Sequence, residues 1–415
     1  MSSGSRKPAA ILKMANPVKI DSGYIARHAV RRLFTFVSSR ASSPGPHAPA
    51  AAPVAPLRRI SAMDTARALG VVAMVMGHTL DALLSEAARA TPAVAAYWNA
   101  RGFTAPLFMI VAGWSGAVAI GRSGVGGLAM VRGRLRRVLL LFGIGYALHW
   151  PGWGLDRLLA GDREVWAHLL AFDALHAIAI ALLVSSLVLA LPWSGRGKAI
   201  VLLALAALAS VLGAGPRTPV SALPVPPIAM ALFQAGGGTS PFPVFPWAAY
   251  FFVGGAMGLL APPGRAGAIA RGVAGGGLVL ATCLTGVGSL PPEDPVLHLH
   301  RVGVVLVLLA SLSSVPPALA SRLAPLGRAS LWVYAIHVPI VYGWSSFPGL
   351  AAWIGPRLGV GAAIAVGVAV LAMSFAFQRF VTRHWRARTR RAAQPKTSGV
   401  ARHPAGVLRV NSPSS

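Results

Sequence analysis

One apolar stretch, Arg59 to Leu84, reads RISAMDTARALGVVAMVMGHTLDALL and carries Asp64, Arg67, His78 and Asp81. About 20 helical residues cross a bilayer core, so the stretch is long enough to span one. At about 100° per residue, all four ionisable groups fall within an arc of roughly 100°. The opposite side is Ala66, Val72, Ala73, Met76 and Leu80, suited to lipid or to neighbouring helices. Ionisable groups inside a membrane are costly, and they face a protein interior or a wet cavity. An imidazole there can take a proton near neutral pH or act as a nucleophile. A guanidinium offers a fork of donors to anionic oxygens. The structural alternative is an Asp64–Arg67 ion pair at a spacing of three, with Asp81 at the helix exit facing water. It leaves His78 unexplained, about 16 Å along the axis from Arg67. Gly77 is expected to leave room beside His78 for close approach of a ligand. His78, Arg67 and Asp64 are therefore the leading catalytic candidates.

A second rank follows. Asp173 and His176, in HLLAFDALHAIAIALLV, are three apart and are expected on one helix face, where the carboxylate would fix the imidazole tautomer. A hydrated polar helix start is the equal alternative. Tyr334 and His337, in SLWVYAIHVPIVYGW, are expected mid-membrane, with Pro339 loosening the backbone ladder after them. The plainer reading is an interhelical hydrogen bond, worth about 1 kcal/mol. The run RGRLRR supplies Arg132, Arg134, Arg136 and Arg137 to an inner connection placed at 122–137. Such a patch is either topogenic or a landing site for an anionic ligand. His149, in YALHWPGW, reads as a hydrated histidine in an aromatic belt. No metal site is expected: HExxH is absent, the histidines are dispersed, and Cys283 stands alone, which also precludes an intrachain disulfide. P-loop, nucleophile-elbow and dinucleotide-binding motifs are absent too.

The elements that must position these groups are membrane helices. The 415 residues are 55% hydrophobic and 12% charged, with mean hydropathy +0.63. Soluble domains carry about 25% charged residues, so a polytopic membrane protein is indicated. A net charge of +28 would suit a nucleic-acid binder. The basic residues instead flank apolar segments and fill the tails, so no nucleic-acid partner is expected. Ten apolar segments lie near 61–83, 103–121, 135–152, 168–191, 198–214, 242–261, 270–287, 299–315, 329–347 and 358–378. With the N-terminus in the cytoplasm, 30 Lys and Arg fall on inner connections and tails and seven on outer ones, as the positive-inside rule asks. The expected fold is thus all-α, with about ten transmembrane helices, both termini cytoplasmic and the lipid bilayer as solvent. Residues 1–57 read as a disordered basic tail without a signal peptide, in which Ile25–Val37 could form a surface helix. Residues 58–380 form the membrane domain, and 381–415 a basic cytoplasmic tail. Small residues in segments two and six suit close helix packing. The connection 215–241 is the longest and is rich in Pro and Gly, a plain loop or a lid.

Asp64-x-x-Arg67, then ten residues, then His78 resembles the Arg-x10-His signature of the membrane acyltransferase 3 family. It also resembles bacterial proteins with a heparan-alpha-glucosaminide N-acetyltransferase-like domain. FTAPLFMIVAGWS at 103–115, FPWAAYFFVGGAMG at 245–258 and LGRASLWVYAIHVPI at 326–340 are looser matches, and the resemblance covers about residues 58–380. It implies a multi-pass enzyme of the bacterial inner membrane. It implies transfer of an acyl group, often acetyl from cytoplasmic acetyl-CoA, to a hydroxyl or amine of a sugar or glycan outside the cytoplasm. CoA would then be a substrate rather than a tightly bound cofactor. His78 would be the catalytic histidine, as general base or acyl carrier, and Arg67 its partner on the donor side. A proton-coupled permease is the main rival, although no internal repeat supports it. A purely structural or sensory role is the third reading.

Overall fold

A computed structural model describes residues 61–123, 126–214, 240–261, 264–291 and 294–393. The expected tail 1–57 with its segment Ile25–Val37, nearly all of the connection 215–241, and the chain after 393 lie outside the described residues. The helices, in order, are α1 (Ser61–Leu83), α2 (Glu86–Arg89), α3 (Pro92–Arg101), α4 (Thr104–Ser123), α5 (Gly127–Leu148), α6 (Leu155–Leu159), α7 (Arg163–Leu170) and α8 (Ala174–Ala190). They continue with α9 (Gly195–Gly213), α10 (Val244–Leu260), α11 (Gly264–Cys283), α12 (Pro295–Leu312), α13 (Pro317–Arg328), α14 (Ser330–Tyr342), α15 (Leu350–Ile354) and α16 (Val360–Ala393). A small hairpin pairs β1 (Gly343–Trp344) with β2 (Phe347–Pro348), placing Gly343 opposite Pro348. The fold is all-α and polytopic.

Each of the ten apolar segments falls on helix, but they do not all qualify as full spans. Among the described residues, α1, α4, α9, α11, α12 and α16 are long and apolar enough to cross a membrane, and α7 with α8, bent by 49°, would make a seventh. The other three differ for local reasons. Four arginines ride on the first half of α5, so the basic run expected in a connection is helical from Gly127 onward. Arginine is a good helix former, and neither Pro nor a turn signal interrupts that run. The 17 residues of α10 include Phe245 in an extended conformation (φ −102°, ψ 118°), as suits the residue before a proline, here Pro246. At 13 residues, α14 ends where Gly343, at φ 98°, turns the chain into the hairpin. At the other extreme α16 runs unbroken past residue 380.

The first helix is central: α4, α13, α14 and α16 pack around it. Ala66, Val71 and Val75 are wholly buried, while Leu69 and Val72 stay exposed. Leu358 joins the C-terminal end of α1 to the start of α16. Its amide donates to the Leu83 carbonyl at 2.9 Å, and its carbonyl accepts from Ser85 at 2.9 Å. The small residues noted in segments two and six meet each other. A β-carbon at Gly113 would strike the Phe251 carbonyl, and one at Gly254 the Ile110 carbonyl. Backbone-to-backbone packing of α4 on α10 therefore requires both glycines. Large apolar side chains such as Leu139, Leu203, Val273, Leu280, Val368 and Phe377 point outward. In a bilayer they form the lipid face.

Candidate active site

His78 lies just over one turn before the C-terminal end of α1, and two residues of α14 close on it. Tyr342 places its hydroxyl 3.1 Å from Nδ1 and 3.4 Å from the His78 backbone carbonyl. Both contacts form together when Nδ1–H donates to the phenol oxygen and the phenol O–H donates to the carbonyl. Nε2 then keeps its lone pair, the state a general base needs. The His337 ring meets His78 edge to face at a centroid separation of 5.3 Å. His337 is fully buried, and its Nδ1–H donates to the Val333 carbonyl at 2.9 Å, which likewise leaves Nε2 as the bare nitrogen. That nitrogen has no hydrogen-bond partner. The Tyr97 hydroxyl of α3 borders the space beside Gly77, and a β-carbon at Gly77 would lie 3.4 Å from it.

A second constellation adjoins it through Tyr334, one turn before His337. The Tyr334 hydroxyl donates to Asp173 Oδ2 at 3.4 Å. Asp173 was expected on a helix face beside His176. It instead caps α8 at the bend after α7, where Oδ1 accepts from the amides of Leu175 (2.8 Å) and His176 (3.1 Å). A capping aspartate satisfies amides that the helix leaves open, which outweighs continuing the helix through residue 173. His176 Nδ1 lies 2.8 Å from the same carboxylate oxygen, and the imidazole is fully buried. Its ring stacks on Phe172 and on His149, with centroids at 5.2 and 5.7 Å. Gly145 gives it room, since a β-carbon there would lie 2.5–2.9 Å from three imidazole atoms. His149 is therefore packed into this cluster, not simply a hydrated belt residue. Its other face meets exposed His168 of α7 at 5.4 Å. Beyond the spanning helices, Asp162 caps α7, and the Arg157 hydrogen bond (2.8 Å) holds its carboxyl below the usual carboxylate range.

Toward the other end of α1, Arg67 donates to Ser115 Oγ of α4 at 2.5 Å and lies 3.5 Å from Asp64. Arg137 of α5 is within electrostatic reach of Arg67 and Arg134; Arg134 is half-buried, and Arg132, Arg136 and Arg137 are exposed. Arg271, read in the sequence only as an inner basic residue, is 7% exposed. Its guanidinium lies 4.9 Å over Trp114 and donates to Ser313 Oγ at 3.1 Å. Asp81 leaves the stripe and pairs with Arg89 at 3.7 Å. Two centres thus stand about 16 Å apart along α1 by the helix rise. One is cationic, around Arg67. The other is built from imidazole, phenol and carboxylate around His78. Tyr342, Tyr97, His149 and Arg271 were missed as site residues. A tyrosine just before the helix-ending glycine is the one signal that points to Tyr342.

No curated relative matches the chain. The family model described as an acyltransferase domain, acyltransferase 3, matches residues 60–379, which take in every helix from the His78 stripe to the apolar half of α16. Together with the apolar helix bundle, that match makes the chain a multi-pass membrane protein of the acyltransferase 3 family.

Proposed function

We propose that the protein transfers an acyl group, acetyl first among them, from a cytoplasmic CoA thioester to a hydroxyl or amine of an extracytoplasmic sugar or glycan. The observation that carries this reading is the separation, on one helix, of the Arg67 cluster from the His78 pair. A CoA thioester has phosphates at one end and its acyl carbon at the end of a long, thin arm. Arg67, Arg134 and Arg137 suit the anionic end. His78 suits the reacting end. In this reading α1 begins at the cytoplasmic face, both termini are cytoplasmic, and the membrane is a bacterial inner membrane.

The acceptor enters from outside and gives its proton to His78 Nε2 as its oxygen or nitrogen attacks the thioester carbonyl. Tyr342 holds His78 in the required tautomer, as the orienting partner of a catalytic imidazole does. Asp64 keeps Arg67 aimed along α4. The family assignment gives no support to a permease. The test is to incubate membranes containing the protein with acetyl-CoA labelled in the acetyl group. Label should move to an extracytoplasmic glycan or glycolipid with the wild type and stay on CoA with His78→Ala. Equal labelling by the two proteins would overturn the reading.

A further inference from the structure

Transfer as proposed leaves a proton on His78, within a bundle of low dielectric. A string of contacts leads from there to the surface. His78 meets His337 at 5.3 Å between centroids, and His337 meets Tyr334 at 5.8 Å. Tyr334 donates to Asp173 Oδ2 at 3.4 Å, and Asp173 Oδ1 lies 2.8 Å from His176 Nδ1. His176 stacks on His149 at 5.7 Å and 18°, and His149 meets exposed His168 at 5.4 Å. Five helices supply these groups: α1, α14, α8, α5 and α7. The other titratable groups packed against the string are Tyr342 beside His78 and Tyr146, whose ring lies 4.4 Å from His176. Helix capping does not account for the arrangement. A cap needs one oxygen, and Asn serves as well as Asp. Asp173 caps with Oδ1, and His176 completes a capping box by accepting from the Asp173 amide at Nδ1 (3.1 Å), but Oδ2 turns to Tyr334, and capping calls for neither His149 nor His168 behind them. Centroid separations of 5.3–5.8 Å exceed one hydrogen bond, so each ring-to-ring step needs a bridging water or a turn of a ring.

We infer, resting on the transfer reading above, that Tyr334, Asp173, His176, His149 and His168 carry the acceptor's proton from the His78–His337 pair to the outer face. The atoms balance as follows. The acceptor O–H (or N–H) loses its proton to His78 Nε2 while its oxygen or nitrogen bonds to the acyl carbon. The carbon–sulfur bond breaks, and the thiolate leaves on the cytoplasmic side. An alkyl thiol with a pKa of about 8.5 is mostly protonated at neutral pH, so the thiolate takes a proton from cytoplasmic water. His78 returns to neutral by releasing its proton along the string. Nothing is oxidised or reduced. Each acyl group transferred therefore takes up one proton inside and releases one outside.

The experiment uses inverted membrane vesicles that carry the full chain and the cells' own acceptor. Acetyl-CoA is added to the exposed cytoplasmic face, a pH-sensitive dye is trapped in the lumen, and free CoA thiol is titrated outside. The wild type should acidify the lumen in step with thiol release. Asp173→Asn keeps the cap but cannot take up a proton. It should lower the rate of thiol release about a hundredfold, the lower end of what a proton-transfer group contributes, at unchanged KM for acetyl-CoA. Imidazole trapped in the lumen should restore that rate, which it would not do for a misfolded variant. Asp173→Ala, which also loses the cap, separates folding from conduction by its lower yield. Wild-type thiol release without lumenal acidification, or a wild-type rate in Asp173→Asn, overturns the proton route while leaving transfer intact. Thiol release that is the same in wild type and His78→Ala overturns the transfer reading and this inference with it.

Discussion

The imidazoles of His78 and His337, from the first helix of the domain and from α14, meet edge to face at 5.3 Å, each with Nδ1 engaged, by the Tyr342 hydroxyl and by the Val333 carbonyl. His78→Ala and His78→Gln should both leave an inserted protein whose transfer is reduced at least about a hundredfold, the usual contribution of a general base. His337→Gln should be milder, because it removes a neighbour and leaves the base itself. Turnover at matched expression checks the order. Near-normal rates in both His78 variants would move the chemistry to His337 or His176.

Tyr342→Phe removes the hydroxyl that fixes the His78 tautomer and changes little else. A hydrogen bond of this kind is worth about 0.5–1.5 kcal/mol, so kcat should fall up to about tenfold. The KM for acyl-CoA should not move, since Tyr342 lies at the far end of α1 from Arg67. A change in KM alone would argue that Tyr342 binds donor and does not orient the base.

The cationic centre should show the opposite pattern. Arg67→Lys keeps the charge but loses the fork that reaches both Ser115 and Asp64. A charge-assisted hydrogen bond contributes about 1.5–3 kcal/mol, so the KM for the donor should rise about ten- to a hundredfold. Changing Arg134 and Arg137 to Gln should also weaken donor binding and flatten its salt dependence. Arg132→Gln and Arg136→Gln should act less, because Arg134 and Arg137 are the ones that stand with Arg67 in the cationic centre. If the Arg134/Arg137 pair and the Arg132/Arg136 pair behave alike, the run serves topology only.

Gly145→Ala places a methyl group against the buried His176 ring. The ring must move, and with it its contact to Asp173. Transfer should drop while Gly143→Ala, where a β-carbon meets nothing within 4 Å, stays normal. The comparison is made on purified protein with matched thermal stability. Equal activity of the two variants would show that the His176 position is irrelevant to turnover.

Packing of α4 on α10 can be tested in the same way. Gly113→Ala collides with the backbone of Phe251, whereas Gly116→Ala approaches only a Leu182 methyl at 3.9 Å. The first should lower the melting temperature and the yield of monodisperse protein, and the second should leave both unchanged. Parallel melts in one detergent decide it.

Part of this was legible in the sequence. The apolar segments located the helices, and the Asp64, Arg67 and His78 stripe located one wall of the site, because periodicity along one helix is a local property. What faces that wall was not legible. His337 and Tyr342 reach His78 only because α14 packs against α1, which no spacing encodes. Asp81 pairs with Arg89, which lies just past the helix end and could not be placed from the periodicity of α1 alone. The bend before α8 had a readable signal, Asp173 followed three residues later by a polar side chain at the head of an apolar run. Read as one long span beginning at 168, the segment concealed it. The arginines of α5 were placed in a connection because charge was read as loop, although arginine favours helix.

The backbone clasp at Leu358 bears on biogenesis. The helix with Arg67 and His78 is the first of the domain to leave the ribosome, whereas its neighbours α13, α14 and α16 are the last. Until they arrive, α1 sits in the bilayer with a guanidinium and an imidazole that later helices will shelter. The candidate site is consequently the last part of the bundle to be completed. A nascent chain stalled before Pro317 carries His78 but none of α14, so it lacks both His337 and Tyr342. Under the transfer reading proposed above, translation order alone would keep unfinished chains inactive.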